Sequence, residues 1–533
     1  MPACFNKGRW PVSAAGMLLM VVLLAGLAFQ ASAAIESAEI RMDWGDSAAE
    51  VARWQVRDGS APGENAWQSL LAESAADGRI SRHLSLQIAD SVVGPEHWQS
   101  EPQASSAGII QRRWLSADGE WLVEQDLARA ELPYRLELAI VLTRLGHDPA
   151  SPGPVRLLLG PGLGEEPIEG LGIATSLYSF VEPLVRIDGS IERIRLSEPG
   201  ESELLPVEAD DTWAALNSRY FALLLDPTED TGVLAYEIGL AESARPEDLP
   251  SRYLPWIGID LAAPQLGQGE SVHWQFQIFS GPKSRSALST EHADSNYTEL
   301  LFHGLWRWMR GLCFALLRVL EWLHALIPSW GLAICLLAVL VRILLYPMAR
   351  WALSSQQRFS EVQREIQPAM ARIKNKYKGG EQSERILRLY EKHGVSPMAG
   401  LKPLLIVLIQ IPVFVALFHV LGQAFELRDA SFLWIESLAE PDRLFGFGVD
   451  LPFFGAYFNL LPVLMAVTTL ITIKLSPAPA SSDAERRRQN IFLGLMALFF
   501  FLLFYPFPAG MVLYWTMANV LHIAQARLTR QAG

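Results

Sequence analysis

An apolar run from Trp330 to Arg350 carries an arginine, Arg342, well inside it. As a helix the run is long enough to cross a bilayer, which takes about 20 apolar residues. A charge at that depth costs about 2.5–3.5 kcal/mol on insertion scales, so it is normally placed in a bundle interior or a hydrated cavity. The run therefore predicts a membrane helix that carries a functional cation. The alternative is that Arg342 snorkels toward the nearer membrane surface.

Charge divides the chain into two parts. Residues 35–300 contain 43 Asp and Glu against 19 Lys and Arg, a net charge of −24. Residues 301–533 contain 14 against 23, a net charge of +9. We therefore expect an acidic soluble domain over residues 35–300 and a basic membrane domain over residues 301–533. Neither part has the clustered basic footprint of a nucleic-acid-binding protein.

Residues 1–33 have the pattern of a secretory signal peptide. Lys7 and Arg9 precede an apolar run over 14–29, and Ala31-Ser32-Ala33 matches a small-residue cleavage site. The alternative is an uncleaved N-terminal anchor. In both cases the domain that follows is predicted to be exported to the periplasm.

The exported domain, residues 35–300, is predicted to be a β-sandwich. Polar and apolar residues alternate from His273 to Phe279, and Asp118-Gly119 separates two alternating segments in the manner of a hairpin turn. Asp211 to Leu225 is predicted to form a helix followed by a strand. The histidines are scattered and form no catalytic pattern, so a binding or spacer domain is favoured over an enzyme.

The second half is predicted to contain an interfacial helix and five membrane spans. The amphipathic segment 302–326, which carries several tryptophans, is expected to lie flat in the membrane interface. The spans are predicted at about 330–349, 401–421, 456–475, 490–506 and 509–527. The loop from 350 to 402 carries 11 Lys and Arg against 5 acidic residues. By the positive-inside rule this loop and the C-terminus are cytoplasmic.

The basic loop, residues 351–400, is predicted to form a cytoplasmic helical hairpin. Two segments of helical composition are joined by Gly379-Gly380, and Pro368 is expected to kink the first arm. Its basic residues fit two interpretations equally well. They are either a topology signal on a solvated face or a docking surface for a nascent chain, a ribosome or acidic lipid.

Polar residues recur inside the predicted spans. Gln410 lies in the second span, and Tyr514, Trp515 and Asn519 lie in the last one. Each alone is typical of a helix–helix contact. Together with Arg342 they indicate a polar concavity open to the cytoplasm. The five predicted spans contain no Asp or Glu, which argues against a proton relay or an ion-coupled transporter.

Ordered motifs in four of the spans point to a known family. They are Trp330-Gly331, Val341-Arg342, Tyr346-Pro347, Pro403-Leu404-Leu405-Ile406, Gln410-Ile411-Pro412-Val413-Phe414, Lys474-Leu475-Ser476-Pro477, Phe507-Pro508-Ala509-Gly510 and Leu513-Tyr514-Trp515. With these motifs the membrane half resembles the YidC/Oxa/Alb membrane protein insertases. In the exported half, Trp213 to Phe221 and Gly281-Pro282-Lys283 resemble segments of the periplasmic domain of the Gram-negative members.

The resemblance implies a five-helix core with a hydrophilic groove that is open to the cytoplasm and to lipid. The implied substrate groove contains Arg342, Gln410, Tyr514, Trp515 and Asn519, with Arg342 attracting the acidic tail of a substrate. The implied protein is a multi-pass inner-membrane protein, is not an enzyme and needs neither cofactor nor metal. Its implied partners are nascent membrane proteins, the bilayer, the Sec translocon with its accessory subunits and, less strongly, the ribosome.

Some positions depart from the family pattern and suggest a divergent member. Lys402 replaces an apolar residue, Trp515 stands where a tyrosine is common, and only eight residues follow Gln525, which weakens ribosome docking. The three cysteines fit neither a disulfide framework nor a metal-binding motif. Two alternatives stay open: a transporter or channel with an exported sensor domain, and a structural assembly factor.

Overall fold

The computed structural model describes most of the chain. The described residues are 34–44, 51–57, 67–71, 83–89, 91–101, 108–164, 180–198, 200–208, 211–228, 231–243, 252–289, 297–393, 402–451, 454–475 and 483–531. The predicted signal peptide, residues 1–33, lies outside them.

The first half forms antiparallel strands. They are β1 (Ala34–Glu36), β2 (Ile40–Trp44), β3 (Val51–Arg57), β4 (Trp67–Ser69), β5 (Ser85–Ile88), β6 (Ser91–Val92), β7 (Trp98–Glu101), β8 (Ile109–Ser116), β9 (Trp121–Arg129), β10 (Arg135–Arg144), β11 (Val155–Leu159), β12 (Val181–Ile187), β13 (Ser190–Arg193), β14 (Ser202–Pro206), β15 (Trp213–Ser218), β16 (Phe221–Pro227), β17 (Val233–Ser243), β18 (Arg252–Leu261) and β19 (Ser271–Pro282).

These strands build three sheets around a shared core. The nine-stranded sheet has the order β13-β12-β15-β16-β19-β10-β9-β8-β7, the six-stranded sheet β14-β17-β18-β11-β5-β6, and the four-stranded sheet β1-β2-β3-β4. Strands β12 and β15 lie against β18, and β3 lies against β19. In β19 the alternate residues Trp274, Phe276 and Ile278 are buried, as their spacing predicts. The predicted β-rich domain is confirmed.

The prediction of a helix followed by a strand over Asp211 to Leu225 is wrong. These residues form a β-hairpin, with β15 paired to β16 and Ala214 opposite Leu225. Every residue of β15 is buried, as are the first five of β16. A strand that is buried on both faces has no polar–apolar alternation, so its sequence cannot be told from that of a buried helix by periodicity.

The second half is helical. Its elements are α1 (Arg285–Leu288), α2 (Arg307–Leu326), α3 (Trp330–Lys376), α4 (Gly379–Lys392), α5 (Lys402–Gln423), α6 (Leu460–Leu475), α7 (Asp483–Phe504) and α8 (Ala509–Gln531). Between α5 and α6, strands β20 (Phe445–Leu451) and β21 (Gly455–Phe458) form a separate hairpin. Helix α8 packs on α6 and α3, and α2 packs on α5 and α3.

Helix α3 differs from the predicted arrangement of a span followed by a separate hairpin arm. It runs unbroken from Trp330 to Lys376, with Pro347 and Pro368 inside it. Ser329 begins the helix, because its side chain accepts a hydrogen bond from the Leu332 amide. The change from apolar to charged composition near Arg350 therefore marks a change of surroundings along one continuous helix. Helix α4 returns alongside it and completes the hairpin.

Helix α2 begins at Arg307, later than the predicted 302. Phe302 and Gly304 have φ angles of +58° and +79°, which a helix cannot accommodate. The helix buries a stripe of residues spaced three or four apart, comprising Met309, Cys313, Leu316, Leu317, Leu320 and Leu323. It leaves Trp306, Trp308 and Trp322 exposed.

Hydropathy and helix length single out one candidate span among the described residues. Trp330–Met348 has a mean hydropathy of 2.2 and is long enough to cross a bilayer. Gln410–Gln423, Leu460–Thr472 and Asn490–Phe504 are apolar but shorter.

Two arginines join the β-rich domain to the helices. Arg219, which is 1% exposed, lies in the turn between β15 and β16 and donates to the carbonyls of Gly422 at 2.7 Å and Ala439 at 3.0 Å. Arg428, from the loop after α5, donates to the side-chain oxygen of Gln68 at 2.8 Å. Its guanidinium lies 5.2 Å from the ring of Phe221. Each domain thus contributes one arginine that hydrogen-bonds to the other domain.

Candidate functional site

A cavity lies between α3, α5 and α8. Its volume is about 80 Å³, and its wall is formed by Ala338, Val341, Arg342, Leu345, Tyr346, Met348, Gln410, Tyr514, Ala518 and Gln525. Arg342, Tyr346, Gln410, Tyr514 and Gln525 bring hydrogen-bonding groups to it. A cavity of this size with several polar groups has room for water molecules.

Helical spacing explains why these residues meet. On α8, Tyr514, Ala518 and Gln525 lie four and seven residues apart, which places them on one face. On α3, Ala338, Arg342 and Leu345 follow the same rule. Because α3 and α8 pack against each other, the two faces form opposite walls.

The Arg342 guanidinium has a partner on α8. Its Nη2 atom is in hydrogen-bond contact with Nδ1 of His522. Since a guanidinium only donates, Nδ1 must accept, which requires a neutral imidazole with its proton on Nε2. The predicted spans contain no Asp or Glu, and the structure gives Arg342 an imidazole as its partner instead. Arg342 is oriented by a neutral acceptor, and its charge is not compensated by His522.

The structure brings Arg342, Gln410 and Tyr514 together at this cavity and places Trp515 and Asn519 elsewhere. The Trp515 ring packs 5.3 Å from Phe414 and 5.5 Å from Phe504. Asn519 donates to Thr469 Oγ1 at 2.8 Å. Trp515 therefore makes helix–helix contacts to α5 and α7, and Asn519 makes one to α6.

The helix ends nearest Trp330 are covered by the loop over residues 424–444. A side chain at Gly331 would overlap the ring of Phe432 from this loop. The amides of Ala509 and Gly510, which begin α8, donate to the carbonyls of Glu440 and Leu438, both at 2.7 Å. The cavity around Arg342 lies about 16 Å of helix rise away from Gly331. The loop therefore covers the starts of α3 and α8, at a distance from the cavity.

A buried carboxylate fixes the loop in place. Asp442 is 3% exposed and accepts hydrogen bonds from the Leu461 amide at 2.7 Å and from Trp434 Nε1 at 3.1 Å. Burial raises the pKa of the Asp442 carboxyl, while these hydrogen bonds act in the opposite direction. The bond to Leu461 satisfies one of the free amides at the start of α6.

His522 and Tyr346 are site residues that the sequence patterns did not indicate. His522 follows Tyr514 and Ala518 at the spacing of one helix face, so the pattern was available. Its role as a partner of Arg342 is not evident from sequence, because the usual partner of a guanidinium is a carboxylate.

Comparisons with known proteins relate the helical half of the chain to a family model and a longer stretch to curated relatives. Residues 322–532 match the model of the 60Kd inner membrane protein family. The membrane protein insertase YidC of Syntrophobacter fumaroxidans is 32% identical over 346 residues, which cover 63% of this chain and 56% of the relative. The YidC of Chlorobium luteolum is 29% identical over 344 residues, which cover 64% and 55%.

The chain thus spans a little more than half the length of these curated relatives. Among solved structures, a crystal structure of an active YidC insertase with its first transmembrane domain resolved is 17% identical. The match covers 97% of this chain and 98% of that one, with a TM-score of 0.33.

Proposed function

We propose that this chain is a member of the YidC/Oxa/Alb family and acts as a membrane protein insertase and folding chaperone. The observation that carries the proposal is the cavity around Arg342, whose cation has no Asp or Glu partner in the predicted spans. An uncompensated guanidinium in a small polar cavity attracts a carboxylate more strongly than it would in bulk water. The relatives named above are insertases and give no support to a transporter or channel.

The proposed topology follows the sequence and fits the helices. Residues 35–300 form a periplasmic domain and residues 301–533 the membrane domain, with spans at about 330–349, 401–421, 456–475, 490–506 and 509–527. Helix α2 lies in the outer interface, and its exposed tryptophans suit the headgroup region. The hairpin of α3 and α4 and the C-terminus are cytoplasmic.

In the proposed mechanism, Arg342 receives the acidic or polar tail of a nascent membrane protein from the cytoplasm. Gln410, Tyr514 and Gln525 keep the cavity wet, which shortens the apolar barrier that the tail must cross. Burial of the substrate's apolar segment in lipid supplies most of the free energy. The membrane potential adds about 2.3 kcal/mol per 100 mV for each negative charge that moves to the positive outer side.

The roles of the five groove residues divide in this proposal. Arg342, Gln410 and Tyr514 face the substrate. Trp515 and Asn519 hold α8 against its neighbours, since their partners are Phe414, Phe504 and Thr469. The loop over 424–444 keeps the outer end closed, so that insertion proceeds without an open pore.

Nascent membrane proteins and the bilayer are the partners that this mechanism requires. The Sec translocon with its accessory subunits and, more weakly, the ribosome are further proposed partners, on family resemblance alone. The proposal needs no cofactor, no metal and no covalent chemistry.

Complementation combined with crosslinking tests the proposal. The full chain is expressed in cells depleted of their own insertase, with a photo-crosslinking residue at Tyr346 in the cavity wall. We expect restored insertion of a single-span substrate and a crosslink to it. The matched control carries the crosslinker at Leu204, which is 57% exposed in the β-rich domain, and should give no crosslink. A chain that neither restores insertion nor crosslinks at Tyr346 is not an insertase.

A further inference from the structure

The β20–β21 hairpin exposes an apolar surface that neither domain covers. Phe445 is 52% exposed, Val449 62% and Leu451 38%, all on the first strand. Tyr457 on the second strand is 40% exposed. Phe445 stands opposite Phe458 and Gly446 opposite Tyr457, and the pairing then shifts register before Leu451. The exposed side chains therefore lie on an irregular stretch of the strand.

The composition of the hairpin is unusual for a segment exposed to water. Residues 444–458 contain five phenylalanines and one tyrosine, and their one charged residue is Asp450. The rings of Phe445 and Phe458 stack at 5.1 Å across the two strands, which stiffens the pair. An exposed surface of this kind marks a site of interaction with an apolar partner.

The hairpin is held at the ends of two apolar helices. The Tyr505 hydroxyl, just beyond α7, donates to the Tyr457 carbonyl at 3.0 Å, and the Phe454 ring lies 4.9 Å from the Tyr505 ring. Asn459 joins β21 directly to α6, and its side-chain amide donates to the Tyr505 carbonyl at 2.8 Å. The apolar hairpin is therefore fixed level with the ends of α6 and α7.

Those two helices also expose apolar side chains. Val467 on α6 is 47% exposed, and Leu495 and Phe499 on α7 are 59% and 57% exposed. A charged boundary lies immediately before the hairpin, where Arg443 pairs with Glu440 at 3.1 Å and lies 5.1 Å above the Tyr457 ring. Arg443 can reach the lipid headgroups, and the apolar and aromatic side chains lie next to it in the hairpin. This arrangement is typical of a membrane interface.

We propose that the β20–β21 hairpin inserts the exposed side chains of Phe445, Val449 and Leu451 into the outer leaflet of the bilayer, as a second interfacial anchor besides α2. The occupant is lipid rather than a partner protein, because the hairpin is fixed at the ends of the apolar helices α6 and α7 and Arg443 beside it can reach the lipid headgroups. The inference rests on the proposed membrane topology.

Fluorescence quenching tests the proposal on the full chain in lipid nanodiscs. Val449→Cys is labelled with the environment-sensitive dye NBD, and the parent chain with its native cysteines gives the labelling background. Leu204→Cys is the matched control, because Leu204 is as exposed as Val449 but belongs to the β-rich domain. Leu495→Cys on α7 reports separately on whether the helices are in the bilayer.

We expect the label at 449 to emit at shorter wavelength than the label at 204. It should be quenched by spin-labelled lipids, most strongly by those that carry the quencher near the headgroup, and protected from aqueous iodide. Emission and iodide quenching equal to those at 204 would overturn the inference. So would a blue-shifted label that no lipid quencher reaches, because protein would then cover it. If the label at 495 is also unquenched by lipid, the proposed topology itself fails.

Discussion

Replacing Arg219 by methionine should loosen the docking of the β-rich domain on the helices. The side chain is 1% exposed and its guanidinium donates to the carbonyls of Gly422 and Ala439. Methionine has similar length and fills much of the same space, but it donates no hydrogen bond. The Gly422 carbonyl belongs to the last turn of α5, where a cation also complements the helix dipole.

The magnitude follows from the two hydrogen bonds. A hydrogen bond from a charged donor contributes about 1.5–3 kcal/mol. Undocking returns the guanidinium and both carbonyls to water, so the lower figure applies to each bond. Two bonds give roughly 3 kcal/mol, which changes the docking equilibrium on the order of a hundredfold.

The change in the docking equilibrium can be measured by hydrogen exchange with mass spectrometry on the intact chain in nanodiscs. Peptides that cover residues 216–222 and 422–430 should exchange faster in the Arg219→Met variant, by up to about a hundredfold. Peptides from β9 and β8, which lie three and four strands away from β16 in the nine-stranded sheet, should be unchanged. Arg113→Met is the matched control, because Arg113 is an exposed arginine paired with Glu124 on the same domain. Unchanged exchange at 216–222 in Arg219→Met would refute the docking role.

Three further predictions concern charge. Arg342→Ala should reduce insertion of substrates with acidic translocated tails by about tenfold and leave neutral tails nearly unaffected, whereas Arg342→Lys should retain most activity; equal losses for both tails would contradict the electrostatic role. His522→Leu removes the acceptor for Arg342 and should lower acidic-tail insertion by up to about tenfold, while His522→Gln keeps an acceptor and should stay within about twofold of the parent; equal effects of the two variants would contradict orientation by hydrogen bonding. Burial raises the pKa of the Glu426 carboxyl, and nearby Glu321 raises it further, against the opposing effect of Arg285. A raised folded-state pKa means that stability from this group is present below about pH 4.3 and is lost as pH rises through the folded value. Glu426→Gln should therefore raise the melting temperature at neutral pH and not near pH 4, and a gain at both pH values would contradict this account.

Composition and periodicity predicted the fold where one face of an element is buried. The alternation in β19 and the apolar run that begins α3 are visible in the sequence because each separates two environments. The hairpin of β15 and β16 was not visible, since residues buried on every side leave no period. The unbroken helix across Arg350 was missed for a related reason. Hydropathy reports the surroundings of a residue, and a helix can pass from one environment to another without a break.

The candidate site was predictable in kind but only partly in detail. The cost of a buried charge singled out Arg342, and polar residues in the spans led to Gln410 and Tyr514. Trp515 and Asn519 are adjacent in sequence to residues that line the cavity, yet one step along a helix turns a side chain by about 100°. Which face of α8 meets α3 depends on packing between distant segments, and no local pattern contains that information.

Because α3 is one continuous helix, a movement at its far end is transmitted to the segment around Arg342. At 1.5 Å per residue, 47 residues make a rod of roughly 70 Å, of which about 30 Å is the length of a bilayer crossing. The remaining length, roughly 40 Å, ends where α4 turns back. A tilt of about 10° would move that far end by about 7 Å while displacing the segment around Arg342 much less. A load applied at the tip of the hairpin would thus reach the cavity as a small rotation about a fulcrum near Pro347.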